Sequence, residues 1–259
     1  MNRRYTDKER YFYELAETSR NYYVNYVGRF IPIKQGLRVL EVGCGEGGNL
    51  LPFAERGCEV EGLDFSQRKI DAACRIFLEK KVSGRFWCQD FFDEPIPKCK
   101  YDLVLVHDVF EHIGPSRKEE FLCRIKQLVA QGGIAFLAFP AWQMPFGGHQ
   151  QTCRKRLLSI LPWIHLLPLK MYRVLLRMFQ EPEDHIRELM DIRESKVTVE
   201  RFEQVCKAAG CEVLDRTLWL INPHYRVKFG MPPIRLRFGL DIIPWIRNYL
   251  SSSCFYVIH

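Results

Sequence analysis

Four glycines stand close together after a short apolar run, in the segment 39–48, which reads V-L-E-V-G-C-G-E-G-G. Because glycine has no Cβ, such a turn lets backbone N–H groups approach a ligand, and several classes of nucleotide cofactor use this kind of spacing. Asp64 follows about 20 residues later, where a carboxylate can accept hydrogen bonds from both hydroxyls of a ribose. Two alternatives stay open here: the glycines only reverse the chain, and Asp64 only caps the next helix.

Several side chains in the middle of the sequence can take up a proton from a reacting group: Asp108, Glu111, His112 and His149. His149 lies in the segment P-F-G-G-H-Q, and a histidine on a glycine-flexed loop at the edge of a sheet can enter a substrate pocket. We predict His149, His112 and Asp108 as catalytic residues, with a structural role as the alternative for each histidine. The cysteines show no CxxC spacing, so no metal site is predicted.

The elements around these residues alternate between strand and helix patterns, which is typical of a parallel α/β sheet. The apolar run 102–106 is nearly continuous, as expected of a central strand that is buried on both faces. Ser116 and Glu119 form a capping-box pattern at the start of one helix. Seven strands are predicted, at 37–42, 59–63, 85–88, 102–106, 134–139, 211–221 and 255–258, and helices at 6–29, 66–78, 116–129 and 198–209.

These motifs together resemble a known family. The run 39–48, with Glu41 ahead of Gly-Cys-Gly, resembles motif I of the class I S-adenosylmethionine-dependent methyltransferases. The segment 89–91 (Q-D-F) resembles the part that meets adenine, and 108–113 (D-V-F-E-H-I) is similar to the strand-four segment of the ubiquinone-biosynthesis O-methyltransferase subgroup. The resemblance covers about 36–140, and the C-terminal elements resemble the family's closing helix and antiparallel strand pair.

The resemblance implies a Rossmann-like, doubly wound α/β sheet and S-adenosylmethionine as the cofactor. It implies that Glu41 positions the amino-acid end of the cofactor, that Asp64 holds the ribose and that Asp90 accepts the adenine amino group. Tyrosines of the first helix, Tyr22 and Tyr23, are expected to close over the site, with packing in the core as the alternative. The predicted cofactor-binding residues are Glu41, Gly43, Cys44, Gly45, Asp64, Phe65, Asp90, Phe91, His107 and Tyr22.

The charge of the chain is concentrated in two late segments. The chain of 259 residues carries a formal net charge of +7. Six basic residues and no acidic one lie in 141–180, and five basic residues with Asp241 alone lie in 222–250. We interpret both as insertions that form a lid over a core. The predicted units are therefore an N-terminal helical cap (1–35), the cofactor-binding core (36–140), a basic and apolar insertion (141–197), and closing elements (198–259) with a second insertion at 222–250.

The first insertion has features of a membrane-surface element. Basic residues between 154 and 177 flank an apolar stretch with a tryptophan, which fits an element on an anionic membrane, while a lid packed on the core is the alternative. No apolar stretch approaches the roughly 20 residues of a spanning helix, and no secretory signal follows Met1. With its scattered cysteines, the sequence predicts a cytoplasmic protein, peripheral to the inner face of the membrane if the segment binds there.

The sequence therefore predicts a methyltransferase that forms an O-methyl product. The basic, apolar and aromatic residues of the two insertions predict an anionic acceptor with a lipid or ring portion. The loop at 146–150 (F-G-G-H-Q) and the closing segment resemble methyltransferases encoded among bacterial surface-polysaccharide genes, which implies a lipid-linked saccharide; quinone precursors and small metabolites stay open. The rival interpretations are an NAD(P)-dependent oxidoreductase and a non-catalytic sensor or scaffold that binds S-adenosylmethionine. A nucleic-acid methyltransferase is the weakest, because an Asn-Pro-Pro-Tyr-like motif is missing at 108–111.

Overall fold

A single mixed sheet organises the protein in the computed structural model, which describes residues 8–93 and 100–259. Its strands lie in the order β3-β2-β1-β4-β5-β8-β6-β7. The first five in this order are parallel, and β8 and β7 run antiparallel to their neighbours. The strands are β1 (Arg38–Val42), β2 (Glu59–Asp64), β3 (Arg85–Cys88), β4 (Tyr101–His107), β5 (Val129–Phe139), β6 (Val213–Ile221), β7 (Ile234–Arg235) and β8 (Ser253–Ile258).

Helices cover both faces of the sheet, which explains why β4 is apolar along nearly its whole length. The helices are α1 (Lys8–Thr18), a π-helical turn (Ser19–Tyr23), α2 (Val24–Val27), α3 (Leu51–Ala54), α4 (Gln67–Glu79), α5 (Lys118–Leu128), α6 (Arg156–Ile160), α7 (Leu169–Met178), α8 (Glu183–Ser195), α9 (Val199–Ala208), α10 (His224–Phe229) and α11 (Ile246–Leu250). Phe121 of α5 and Phe202 of α9 lie in the core on one face. Phe12 of α1 and Phe77 of α4 lie in the core on the other.

The doubly wound α/β fold that the sequence predicts is confirmed, with two differences in detail. The sheet has eight strands rather than seven, because Ile234–Arg235 of the second insertion adds a two-residue strand beside β6. The capping box at Ser116 is wrong. Pro115 starts a short 3₁₀ turn that takes in Ser116, so α5 begins after Arg117 and its first turn has no side-chain cap. The start of the predicted first helix, Thr6, lies outside the described residues.

Register brings the carboxyl ends of four strands to one edge of the sheet. Val42 of β1 pairs with Leu63 of β2 on one side and with Val106 of β4 on the other. His107, at the end of β4, pairs with Ala138 of β5. The loops that follow these strands, which carry the residues singled out in the sequence, therefore meet at this edge, where open α/β sheets bind their ligands.

The first insertion forms a small helical layer with a core of its own. Tyr172 and Leu176 of α7 pack with Ile186, Leu189 and Met190 of α8. The opposite side of α7 exposes apolar side chains, Leu169, Met171, Val174 and Met178. Within the described parts of the chain, no helix has the length and apolar character needed to cross a membrane. The insertion is thus a packed structure that also presents an apolar face to solvent.

Candidate functional site

The glycine loop after β1 leaves an open space in front of its backbone. Gly43 has φ +73°, and a Cβ there would lie 2.4 Å from Val109 Cγ2. Gly45 has φ +55°, and a Cβ there would meet nothing within 4 Å. The side chain of Cys44, between them, is buried on the core side of the loop. Gly43 is therefore needed for close packing against Val109, Gly45 presents bare backbone to the open space, and Cys44 can face this space only through its backbone.

Glu41 points a buried carboxyl group at the start of this loop. Its Oε1 accepts a hydrogen bond of 2.7 Å from Asn49 Nδ2, and its Oε2 has no partner among the described residues. Burial, together with the nearby charge of Asp64 and against the opposite effect of the Asn49 hydrogen bond, raises the pKa of Glu41 to about 8. A buried oxygen without a partner is costly, so this group is suited to receive a cation or a hydrogen-bond donor of a ligand.

Asp64, at the end of β2, holds the glycine loop in place. Its Oδ2 accepts a hydrogen bond of 3.0 Å from the N–H of Gly45, and its Oδ1 accepts one of 2.9 Å from the N–H of Ser66. Lys69 Nζ lies 3.7 Å from Oδ2. A carboxylate has about four acceptor positions, so Asp64 retains capacity for hydroxyl donors. The predicted ribose contact stays a prediction, now with a structural role for the same residue.

The three residues predicted to meet adenine lie in different environments. Phe65 follows Asp64 and is 78% exposed. Asp90, after β3, is exposed, and its Oδ1 accepts a hydrogen bond of 2.8 Å from the N–H of Phe92. Phe91 is buried against Phe121 of α5, with ring centroids 4.9 Å apart. The side chains of Phe65 and Asp90 are therefore accessible to a ligand, whereas Phe91 can contribute only its backbone.

Phe65→Ala should weaken binding of S-adenosylhomocysteine by about 0.5–1.5 kcal/mol, since a planar adenine ring would cover the exposed phenyl ring. Leu78→Ala is a matched control, because Leu78 is 79% exposed on the far end of the helix that follows Phe65. Calorimetric titration of both variants measures the difference. Equal affinities for the two variants would exclude the adenine contact.

The first helical segment reaches the site through Tyr23 rather than through Tyr22. Tyr23 is fully buried, and its hydroxyl forms a hydrogen bond of 2.7 Å with Nε2 of His107 at the end of β4. Tyr22, the residue assigned to the cofactor, lines a cavity together with Trp219, Arg235 and Phe255. The π-helical turn at Ser19–Tyr23 changes the angle at which successive side chains leave the helix, and Tyr23 then faces His107. The assignment of Tyr22 to the cofactor stays a prediction.

The proton-accepting candidates form one cluster beside His107. Atoms of Glu111, His112 and His149 that can bind a metal lie within 4.8 Å of one another. Nε2 of His149 is 3.7 Å from Oε1 of Glu111, and the two imidazole rings are 5.1 Å apart. Asp108 is next to this group, with its side chain 47% exposed. His149 is distant in the sequence from the other two catalytic candidates, Asp108 and His112, and the structure brings the three residues together.

The electrostatics of the cluster favour uncharged imidazole. Burial and the neighbouring His112 lower the pKa of His149 to about 4. Burial and the charge of Asp108 raise the pKa of Glu111 well above its usual range. Asp108 and His149 both have left-handed backbone conformations, with φ +51° and +56°. Such conformations are rare in residues other than glycine, and here both occur in the loops that aim side chains into the cluster.

Two further residues support the cluster and were not singled out in the sequence. Lys118 is fully buried, and its Nζ donates a hydrogen bond of 2.6 Å to the carbonyl of Phe110, beside Glu111. His165 is also fully buried, and its Nε2 lies 2.8 Å from the carbonyl of Trp142. Its ring is packed against Gly148, next to His149. These contacts join distant parts of the chain, and no local pattern indicates them.

His165 should make the protein sensitive to mild acid. Burial lowers the pKa of His165 to about 4, below the value of about 6.5 that histidine has in an unfolded chain. The unfolded state therefore binds more protons between these values, and stability falls as the pH drops below about 6.5. We expect a loss of about 2 kcal/mol between pH 7 and pH 5. Urea unfolding of His165→Gln should show a flatter pH dependence than the unmodified protein, and an identical slope would contradict this assignment.

The chain is similar to known methyltransferases in sequence. Residues 39–133 match a family model described as a methyltransferase domain. A ubiquinone biosynthesis O-methyltransferase of Mesorhizobium japonicum is 33% identical over 104 residues, which are 40% of this chain and 41% of that protein. A sphingolipid C9-methyltransferase of Komagataella phaffii is 29% identical over 129 residues, 44% of this chain and 26% of that protein. The chain thus spans less than half the length of these two relatives.

The fold is similar to that of solved methyltransferases. The plantazolicin methyltransferase in complex with S-adenosylhomocysteine has a TM-score of 0.60 at 14% identity, with 98% of this chain and 86% of that chain covered. At this identity the likeness concerns the fold, and it extends over the insertions as well as the core. The residues of the site must therefore be judged by their own geometry.

Proposed function

We propose that this chain, whose residues 39–133 match a methyltransferase domain, is a class I S-adenosylmethionine-dependent methyltransferase that transfers a methyl group to a hydroxyl group of a small or lipid-linked acceptor. The observation that carries the proposal is the open glycine loop with the unpartnered Oε2 of buried Glu41 beside it. Asp64 is joined to the same loop. These features lie at the edge of the sheet where the ends of β1, β2 and β4 meet.

The residues present fit this cofactor. The bare backbone of Gly45 faces open space that a ligand can occupy, and Glu41 offers an acceptor to its ammonium group. Asp64 has spare acceptor positions for the ribose, and Phe65 offers an exposed ring to the adenine. When bound, S-adenosylmethionine supplies an electrophilic methyl group that a nucleophile attacks in line.

The work of the protein in such a reaction is to orient the acceptor and to accept its proton. His107, which Tyr23 holds by a hydrogen bond, ends β4 between the neighbouring strands β1 and β5. His149 and His112 are the proposed proton acceptors, together with the exposed carboxylate of Asp108. A neutral imidazole can receive a hydrogen bond from an acceptor hydroxyl, and the low pKa of His149 keeps it neutral at physiological pH.

The proposed acceptor is a lipid-linked saccharide or a quinone precursor, with an anionic group. The basic residues of the two insertions support an anionic acceptor. The relatives support an apolar portion, since their names refer to ubiquinone biosynthesis and to a sphingolipid. Incubation with methyl-tritiated S-adenosylmethionine and extracted lipids and glycans tests this. Label in a lipid fraction supports the proposal. Label only in water-soluble compounds would contradict it and indicate a water-soluble acceptor instead.

We also propose that the exposed face of α7 lies on an anionic membrane surface. Met171, Val174 and Met178 are exposed on it. Lys170 and Arg173 lie on the same helix, and basic side chains beside an exposed apolar face fit a surface of anionic lipids. No nucleic-acid partner is proposed.

Met171→Glu combined with Val174→Glu should reduce binding to phosphatidylglycerol-containing vesicles at least about tenfold, since it replaces apolar contact with like-charge repulsion. Leu78→Glu, on the exposed face of α4, is the control and should bind like the unmodified protein. Vesicle co-sedimentation measures both. Equal binding to neutral and anionic vesicles, or no loss in the double variant, would contradict a role of this face.

A further inference from the structure

A cavity lies between the first helical segment and the C-terminal strands. Its volume is about 160 Å³, and residues between 21 and 29 line one side of it, with Trp219 of β6, Arg235 of β7 and Phe255 of β8 on the other. β6 is the third strand from β4 in the sheet. At the usual spacing of about 4.8 Å between neighbouring strands, these two strands are about 14 Å apart. The cavity therefore lies to one side of the residues that follow β1 and β4.

The wall of the cavity carries an excess of positive charge. Two arginines line it, Arg29 and Arg235, and no acidic residue does so in the described part of the chain. Arg29 is paired, since its Nη2 lies 3.2 Å from Oδ2 of Asp215. Arg235 is exposed and forms no ion pair with the described residues, and its guanidinium group lies 5.4 Å from the centroid of the Trp219 ring. One cation at the cavity is thus available to an anionic ligand.

The cavity also has hydrogen-bond donors to spare. Trp219 is only 7% exposed, and its Nε1 has no hydrogen-bond partner among the described residues. A buried indole N–H usually has a partner, and an oxygen of a ligand would supply one. Asn21 and Asn25 each donate one hydrogen bond from Nδ2, at 2.6 Å to Glu17 and at 2.9 Å to the carbonyl of Asn21. A carboxamide has two N–H groups, so each asparagine keeps one for a ligand.

Aromatic rings form the apolar part of the wall. Tyr22, Tyr26 and Phe255 line the cavity. The ring of Phe255 lies 5.4 Å from that of Tyr26 and 5.6 Å from that of Trp219. An engineered cavity of about 150 Å³ binds benzene, so this cavity has room for one six-membered ring. A ligand that fits carries such a ring and a negatively charged group with acceptor oxygens.

The charge and the donors select the class of ligand. A carboxylate matches the planar fork of a guanidinium group, which can donate two parallel hydrogen bonds to it. We propose that the cavity binds a small carboxylate with one six-membered ring, whose carboxylate meets Arg235 and Trp219 and whose ring packs against Tyr22 and Phe255. This binding needs neither a cofactor nor a methyl acceptor, so it does not rest on the proposed function.

Calorimetric titration of the protein alone with benzoate, glucuronate and inorganic phosphate tests the site. We expect one equivalent of benzoate or of glucuronate to bind, and the tighter of the two identifies the ring as aromatic or as a sugar. Phosphate should bind at least about tenfold more weakly, because it has no ring to bury in the cavity.

Variants locate the binding in this cavity. Arg235→Gln should weaken binding of the tighter carboxylate at least about tenfold, since it removes hydrogen bonds between charged groups. Trp219→Phe keeps an aromatic ring and removes the N–H group, and it should weaken binding about two- to tenfold. Arg237→Gln is the matched control, because Arg237 is exposed in the same insertion and does not line the cavity. Circular dichroism establishes that each variant is folded.

The proposal would be overturned if neither carboxylate bound, or if phosphate bound as tightly as they do. It would also be wrong if Arg235→Gln lost no more affinity than Arg237→Gln. A loss of binding in His149→Ala that Arg235→Gln does not share would locate the carboxylate at the proposed acceptor site instead. S-adenosylmethionine is absent from these titrations, so a failure of the proposed methyl transfer leaves a different record from a failure of this binding.

Discussion

Replacing His149 with alanine should lower the turnover of methyl transfer by about 10²–10⁴-fold, the usual range for the loss of an acid–base group. The same variant should bind S-adenosylmethionine with nearly unchanged affinity. The reason is position: His149 follows β5 and lies beside Glu111 and His112, whereas the glycine loop follows β1. Initial rates at saturating cofactor, with calorimetric titration of the cofactor, measure the two effects separately.

A matched control comes from the other end of the sheet. His259 follows β8, and its Nδ1 lies 2.9 Å from the carbonyl of Gly133, near the beginning of β5. His259→Ala should retain the turnover of the unmodified protein. Unmodified turnover in His149→Ala would exclude this residue as the proton acceptor of the reaction.

Glu41→Gln should weaken binding of S-adenosylmethionine at pH 8 by about 1.5–3 kcal/mol, the usual contribution of a hydrogen bond to a charged group. The glutamine keeps the shape of the side chain and removes the carboxylate that would face the ammonium group of the cofactor. Glu59→Gln is the control, since Glu59 is exposed at the opposite end of the sheet, at the start of β2.

The same carboxyl group should give the binding a characteristic pH dependence. The pKa of Glu41 is about 8, so the free protein carries it mainly protonated at neutral pH. Binding of an ammonium group needs the carboxylate, so affinity should rise nearly tenfold between pH 6 and pH 7 and level off near pH 8, where α-amino groups lose their proton. The dependence should be nearly absent in Glu41→Gln. If the affinity of Glu41→Gln changed with pH in the same way as that of the unmodified protein, the titrating group would be one other than Glu41.

The sequence was sufficient to predict the positions of the central strands along the chain and the edge of the sheet at which the candidate site lies. Apolar runs that end at glycine or aspartate are local signals. The observed bounds of β1, β2 and β4 agree with the predicted ones within a residue or two. The boundary of α5 was not predictable in the same way. The 3₁₀ turn at Pro115–Arg117 overrides the local preference of Ser116 as a helix cap.

The chemistry of the site could be predicted only as far as it depends on local patterns. Glu41 and Asp64 are found from their motif. The meeting of Glu111 with His149 depends on a left-handed turn at His149 and on the burial of His165 against Trp142. Such long-range packing has no periodic signal in the chain. The choice between Tyr22 and Tyr23 depends on a π-helical turn that shifts the helical phase, which the 3.6-residue period does not reveal.

The central claim is the identity of the cofactor, and parallel calorimetric titrations with S-adenosylmethionine, S-adenosylhomocysteine and NAD(H) test it most directly. We expect micromolar binding of the two adenosyl compounds, about −8 kcal/mol, and no heat of binding from NAD(H). Binding of the adenosyl compounds with no methyl transfer to any acceptor would identify a sensor or scaffold. Binding of NAD(H) in their place would contradict the account and indicate redox chemistry at the glycine loop.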